Sequence, residues 1–109
     1  MAAMLGALLL VASAAEPWTR QDVREAAATA SPRVACTIGV ETGQTYEPYS
    51  YGRAGELGPG QLHPAGKLPA FYAAGYTDPF DPWATVAFME SEFAQGNARA
   101  WSPVLLGMC

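Results

Sequence analysis

The stretch that decides the fold reads GELGPGQLHP and runs from Gly55 to Pro64. Its glycines leave the backbone uncovered and allow a polymer to approach closely, and Gln61 offers both a hydrogen-bond donor and an acceptor. Glycines in this pattern are equally compatible with a turn that needs positive φ angles and has no further role. The stretch therefore predicts an open turn, for which a binding role is one of two interpretations.

Upstream of this turn, an apolar helix is predicted to end at Glu41. Ser31 and Pro32 mark its start, because serine caps helices and proline suits the first turn, and Gly43 ends it. Glu41 shares a face with Ile38 on a helix that is apolar nearly all round, so we expect it to be buried. Burial and the negative end of the helix dipole both raise the pKa of a carboxyl group, which suits a general acid working near neutral pH. An exposed glutamate on a frayed helix end is the alternative.

The rest of the chain predicts a mainly α domain with one long irregular loop. Caps, helix-ending glycines and apolar stripes indicate helices at 20–29, 32–41, 69–74 and 82–95, and a last turn over 99–106. We expect Trp101 to fill the core rather than to stack on a ligand. Residues 44–63 are too many for a simple connector, and ordered loops of this length usually carry function. No repeat or linker interrupts residues 16–109, which predicts a single domain.

The N-terminal residues 1–15 contain no charge, and the apolar run Leu5–Val11 is followed by small residues. This pattern is typical of a secretory signal peptide that is cleaved after residue 14 or 15. It predicts an exported protein, secreted or periplasmic, with an ordinary buried helix as the alternative.

The chain contains two cysteines, Cys36 and Cys109. An exported chain meets an oxidising compartment, where this pair has one possible connectivity. We therefore expect a disulfide that ties the C-terminus to the helix ending at Glu41, with two unlinked thiols as the alternative.

The charge pattern excludes some partners. Ten acidic residues outnumber six basic ones, and no lysine or arginine cluster is present, so we do not expect a nucleic-acid partner. One histidine, His63, and two distant cysteines make no metal-ligand set. We expect no metal or cofactor, a monomeric protein, and a role for His63 in loop structure rather than in catalysis.

Three short blocks of the sequence occur in the same order as the blocks of a known family signature: Glu41-Thr42, then Tyr46, Pro48 and Ser50, and then Gly55–Pro64. These blocks resemble the signature of SLT-type lytic transglycosylases in the lysozyme-like superfamily, in which a Glu-Ser pair ends a helix and a Gly-x-x-Gly-x-x-Gln-x-x-Pro turn closes a cleft. The segment at 78–82 and its helix are also similar to a later block of the family, so the resemblance covers about half of the mature chain. It implies a small lysozyme-like domain whose long irregular loop forms the cleft.

The resemblance also implies an activity on peptidoglycan, the cleavage of the β-1,4 bond between N-acetylmuramic acid and N-acetylglucosamine. Glu41 would protonate the glycosidic oxygen and then, as a carboxylate, deprotonate the C6 hydroxyl of the muramic residue to give a 1,6-anhydro product. Gln61, Gly58 and Tyr46 would bind the glycan, and Thr42, which replaces the family's serine, would support the glutamate.

Two other functions stay open. A second carboxylate would permit hydrolysis by water, as in a muramidase; the candidates are Glu47, Glu56, Asp78 and Asp81. The family's Ala-Tyr-Asn-x-Gly segment, whose tyrosine contacts the substrate, is replaced here by residues 100–103, AWSP. Its loss is compatible with a wall-binding module that has no turnover. Glu90 repeats the Glu-Ser-x-aromatic pattern, but no glycine-glutamine turn follows it, so we do not expect it to be catalytic.

Overall fold

A computed structural model describes residues 17–109. The predicted signal peptide, residues 1–15, lies outside the described residues. The helices are α1 (Arg20–Thr29), α2 (Pro32–Glu41), α3 (Lys67–Ala73), α4 (Pro82–Ala94), a 3-10 helix (Ala98–Ala100) and α5 (Ser102–Leu105). Residues 17–109 contain isolated β-bridges but no strand, which confirms the prediction of a mainly α fold. None of these helices combines the length and apolar character needed to cross a bilayer.

Helix α1 begins where the sequence predicts, at a reciprocal cap. The backbone N–H of Asp22 donates to the Thr19 hydroxyl at 3.1 Å, and the Thr19 N–H donates to the Asp22 carboxylate at 2.9 Å. Each side chain thereby satisfies a backbone donor that the first helical turn leaves without a partner. The buried face of α1 carries Val23 and Ala26, and α1 packs mainly against α4.

Helix α2 begins at Pro32 and ends at Glu41 as predicted, but Ser31 does not cap it with its side chain. Ser31 instead donates its hydroxyl and its backbone N–H to the Glu90 carboxylate, at 2.7 and 2.6 Å. A hydroxyl that donates to a carboxylate forms a charge-assisted hydrogen bond, so the Ser31 side chain is directed to Glu90 instead of to the first turn of α2. This contact also gives Glu90 a role in joining α2 to α4.

Helices α3 and α4 form close to their predicted positions, and each ends one residue earlier than predicted. Asp81 caps α4 by accepting from two backbone N–H groups, at 2.9 and 3.2 Å, and Gly96 follows the helix with a φ of +90°. Helix α3 begins two residues earlier than predicted, at Lys67 instead of Pro69. Pro69 still lies in the first turn, where its missing N–H costs no hydrogen bond.

The core lies where α1, α2 and α4 meet, and Trp101 closes it near the C-terminus. The Trp101 side chain is only 3% exposed, and its indole Nε1 donates to the Gly60 carbonyl at 2.9 Å. The prediction that Trp101 fills the core is confirmed. Its hydrogen bond also ties the long loop to the C-terminal segment, so both are fixed relative to α2.

Cys36 and Cys109 form a disulfide with a Cα–Cα distance of 5.7 Å, which confirms the predicted bridge. It links the middle of α2 to the C-terminus across 73 positions of sequence. Arg33, also on α2, donates to the Cys109 carbonyl at 3.4 Å. The covalent bond thereby holds the segment that follows Trp101 against α2.

Candidate active site

The compact loop over residues 51–62, which we call the cavity turn, is built around Leu57. Leu57 pairs with Tyr51 on one side and with Leu62 on the other through isolated antiparallel bridges. Leu57 and Leu62 exchange two backbone hydrogen bonds, of 3.1 and 3.0 Å, and the Leu62 side chain is fully buried. Leu62 therefore anchors the turn to the core and fixes the positions of the polar side chains around it.

Gly58 is needed in this turn for two physical reasons. Its φ of +76° lies in the left-handed region, which glycine adopts without strain. A Cβ atom at this position would overlap the carbonyl oxygen of Pro79. Gly58 is thus buried beneath the start of α4, and the structure does not bring it to the cavity where the sequence analysis expected it to bind a ligand.

Glu41 and Gln61 lie in one cavity of about 260 Å³, which we call the Glu41 cavity. Its lining residues come from the end of α2, from the cavity turn, from the first residue of α3 and the segment before it, and from the first residue of α5 and the segment before it: Glu41, Glu56, Gln61, His63, Gly66, Lys67, Ala100, Trp101 and Ser102. The volume is slightly below the ~300–1,000 Å³ of typical small-molecule sites. The structure therefore brings together two of the residues that the sequence singled out, twenty positions apart.

Glu41 is half-buried at the last position of α2. Burial raises the pKa of its carboxyl group from 4.5 to about 7, with a further contribution from the negative charge of Glu56. Both causes act by disfavouring the charged form. Near neutral pH a large share of Glu41 is thus protonated and can donate a proton.

Glu56 is held in place by the backbone of the cavity turn. Its Oε1 accepts a hydrogen bond from the Ala54 N–H at 2.8 Å. The same oxygen lies so close to Gly52 that a Cβ atom there would overlap it, and Gln61 Oε1 would lie 2.7 Å from that Cβ. Gly52 thereby leaves room for two side-chain oxygens from residues that line the same cavity as Glu41.

Gln61 has a φ of +48°, which is unusual for a residue other than glycine. Its amide Nε2 donates to the Gly58 carbonyl at 2.9 Å. This bond fixes the orientation of the side chain and leaves its oxygen on the side of Gly52. The amide is consequently presented to the cavity in one orientation.

Thr42 and Tyr46 lie outside the Glu41 cavity. The Thr42 hydroxyl donates to the Ile38 carbonyl at 2.9 Å and accepts from the Tyr46 N–H at 3.2 Å, so it fixes the start of the long loop on the end of α2. Tyr46 lines a separate groove between α1 and α2, where the Arg24 guanidinium lies 5.4 Å from its ring centroid. The structure brings neither residue into the Glu41 cavity.

Of the four candidates for a second carboxylate, only Glu56 lines the Glu41 cavity. Glu47 forms an exposed ion pair with Arg20 at 3.3 Å. Asp78 accepts from the Trp18 indole Nε1 at 2.9 Å, and Asp81 caps α4. These three carboxylates are thus engaged in holding the fold.

His63 lines the cavity but is fixed in the loop, because its Nδ1 accepts from the Ala65 N–H at 3.0 Å. Sequence reasoning missed Lys67, whose only signal is that it is the sole lysine of the chain and follows the cavity turn closely. Ala100 and Ser102 also line the cavity. They belong to residues 100–103, which the sequence comparison set against the tyrosine segment of the SLT-type family.

Within residues 17–109, no group of three or more His, Cys, Asp or Glu side chains is arranged to hold a metal ion. No protein-family model matches the chain, and neither does any curated protein or solved structure. A functional assignment consequently rests on the sequence signature and on the chemistry of the Glu41 cavity.

Proposed function

We propose that this protein is a lytic transglycosylase that cleaves the β-1,4 bond between N-acetylmuramic acid and N-acetylglucosamine in peptidoglycan. In this proposal the domain is lysozyme-like and Glu41 is the single catalytic acid and base. The observation that carries the proposal is the protonatable Glu41 in a cavity that also presents the Gln61 amide. These two residues occupy the glutamate and glutamine positions of the signature that the sequence resembles.

The proposed reaction uses both protonation states of Glu41. The neutral acid gives its proton to the glycosidic oxygen as the C1–O bond breaks. The resulting carboxylate accepts the proton of the C6 hydroxyl, and O6 forms a bond to C1. Because the nucleophile is part of the substrate, the 1,6-anhydro product needs neither water nor a second carboxylate.

A second candidate function is hydrolysis by a muramidase mechanism. It is favoured by the presence of Glu56 in the same cavity as Glu41. In that reaction Glu41 remains the acid, and Glu56 activates a water molecule or stabilises the positive charge that develops at C1. The two functions differ in the end group of the product.

Digestion of purified sacculi followed by mass spectrometry of the soluble muropeptides tests both functions. Anhydro ends, absent with the Glu41→Gln variant, would support the transglycosylase. Reducing ends would assign the protein as a hydrolase instead. Binding to sacculi without any soluble product would identify a wall-binding module and overturn both enzymatic proposals.

We also propose that the protein is exported, as its N-terminal sequence predicts. The Cys36–Cys109 disulfide supports this, because such bonds persist in oxidising compartments. Fractionation of cells that express the full chain, with the N-terminus of the product sequenced, tests the proposal. An uncleaved chain found only in the cytoplasm would contradict it.

A further inference from the structure

Lys67 is the one lysine or arginine among the described residues that line the Glu41 cavity. It is half-buried at the first position of α3. The carboxyl groups of Glu41 and Glu56 line the same cavity. Lys67 is therefore the lining side chain best suited to attract an anionic ligand.

The position of Lys67 is set by an ion pair with Glu92 on α4. Glu92 is more than nine-tenths buried, and its second oxygen accepts from the Asn97 amide Nδ2 at 3.2 Å. Glu92 itself lines a different groove, beside Tyr76 and Phe88. The ion pair thus forms part of the partition between that groove and the Glu41 cavity.

The ion pair leaves part of the lysine available. An ammonium group has three N–H donors, and a single side-chain acceptor, Glu92, engages Lys67 among the described residues. The lysine side chain keeps 26% of its surface exposed. Because Glu92 limits the motion of the Lys67 side chain, the remaining donors of the ammonium group are held in place before a ligand arrives.

We propose that Lys67 is a specificity-determining residue that binds a carboxylate of the saccharide, and that Glu92 is its positioning residue. This inference rests on the proposed function. In peptidoglycan, muramic acid differs from glucosamine by a 3-O-lactyl group. That group is an amide where a peptide stem is attached and a free carboxylate where the stem has been removed. A charged acceptor forms the stronger bond with an ammonium, so the site prefers glycan strands without stems.

The test compares two tetrasaccharides of alternating N-acetylglucosamine and N-acetylmuramic acid, one with free lactyl carboxylates and one with their methyl esters. Titrations at pH 6 and low salt use the Glu41→Gln variant, so that no turnover occurs. We expect the acid to bind about tenfold more tightly than the ester, the effect of one charge-assisted hydrogen bond. The preference should shrink when salt is added.

The matched protein variant replaces both members of the ion pair, Lys67→Met with Glu92→Gln. Removing the lysine alone would leave a buried carboxylate without compensation, which often prevents folding. In the double variant the ester should bind as before, and the preference for the acid should disappear. Circular dichroism checks that the double variant is folded.

The outcomes separate this inference from the proposed function. Equal binding of acid and ester, or a preference that survives in the folded double variant, would overturn the role of Lys67 and leave the saccharide site intact. If neither ligand binds, the assignment of the cavity to peptidoglycan glycan fails, and the inference fails with it.

Discussion

The helical frame, made of α1, α2 and α4, and the cavity turn are stabilised in different ways. The frame begins its helices at side-chain caps or prolines and buries apolar faces in a common core. The cavity turn holds Gln61, a residue with a Cβ atom, at a positive φ angle and places Glu56 near a second carboxyl group. Strain and charge repulsion cost free energy, so the frame must stabilise the geometry that the turn presents. Such a division is typical of a functional site on a rigid scaffold.

The largest expected effect is a loss of activity that leaves the helical frame folded. Glu41→Gln keeps the shape of the side chain but removes its transferable proton, so the rate of sacculus digestion should fall about 10²–10⁴-fold. The control is Glu47→Gln, which alters an exposed carboxylate outside the cavity and should retain activity. Comparable activity of Glu41→Gln and the unaltered protein would eliminate Glu41 as the acid.

The next prediction concerns the disulfide that ties α2 to the C-terminal segment. Replacing Cys36 and Cys109 by serine should lower the free energy of unfolding by about 4 kcal/mol, because the unfolded chain regains the entropy that a long closed loop denies it. Denaturant titration measures the change. The unaltered protein in reductant should behave like the double variant; resistance to denaturant that does not depend on reductant would contradict the prediction.

Gly58→Ala tests how closely the turn is fitted to the frame. Alanine at this position would be strained by its positive φ and would overlap the Pro79 carbonyl, which together should cost about 3 kcal/mol or more. Gly43→Ala is the matched control, since Gly43 has a φ of +61° but open space around it. We expect that variant to lose only about 1 kcal/mol. Equal losses in the two variants would show that the contact with Pro79 is unimportant.

A smaller effect concerns the pH dependence of stability. The folded state raises the pKa of Glu41 to about 7, so between pH 4.5 and 7 it binds more protons than the unfolded state does. The contribution of Glu41 to stability is therefore complete below pH 4.5 and is lost as pH rises through 7. Relative to Glu41→Gln, the protein should lose about 1–2 kcal/mol over this range, allowing for the partial exposure of the group. Thermal unfolding of both proteins across pH measures the difference, and parallel curves would refute it.

The smallest predicted effect concerns the influence of the Glu56 charge on the pKa of Glu41. Glu56→Gln removes the negative charge near Glu41 and should shift the alkaline limb of the pH–rate profile to lower pH. The shift should be less than the contribution of burial, because burial is the larger cause of the raised pKa. A complete loss of activity at every pH would instead assign Glu56 a direct role and favour the hydrolase.

The helices could be predicted from the sequence because their signals are local. Thr19 and Asp81 cap within three residues of their own position, so a short window of sequence contains the whole interaction. Ser31 shows the limit of this reasoning, since its partner Glu90 lies 59 positions away. The distant Glu90 carboxylate engages the Ser31 hydroxyl, which therefore does not cap α2. Nothing in the sequence near Ser31 indicates this contact.

The candidate site was predictable only in part. Glu41 and Gln61 stand out because a helix end and a glycine-rich turn are visible in sequence. Lys67 was missed because its place in the cavity depends on Glu92, which lies 25 positions further along the chain. Tyr46 was expected at the site from the family spacing. It has instead a φ of +58° and lies in the groove beside Arg24.

The left-handed backbone of Gln61 has a consequence for laboratory evolution. A residue with a Cβ atom is held there against its own preference, and glycine or asparagine would relieve the strain. A library selected for heat resistance alone should therefore replace this glutamine early, and its survivors should digest sacculi poorly. If the same library is selected for digestion as well, the glutamine should persist despite its thermal cost.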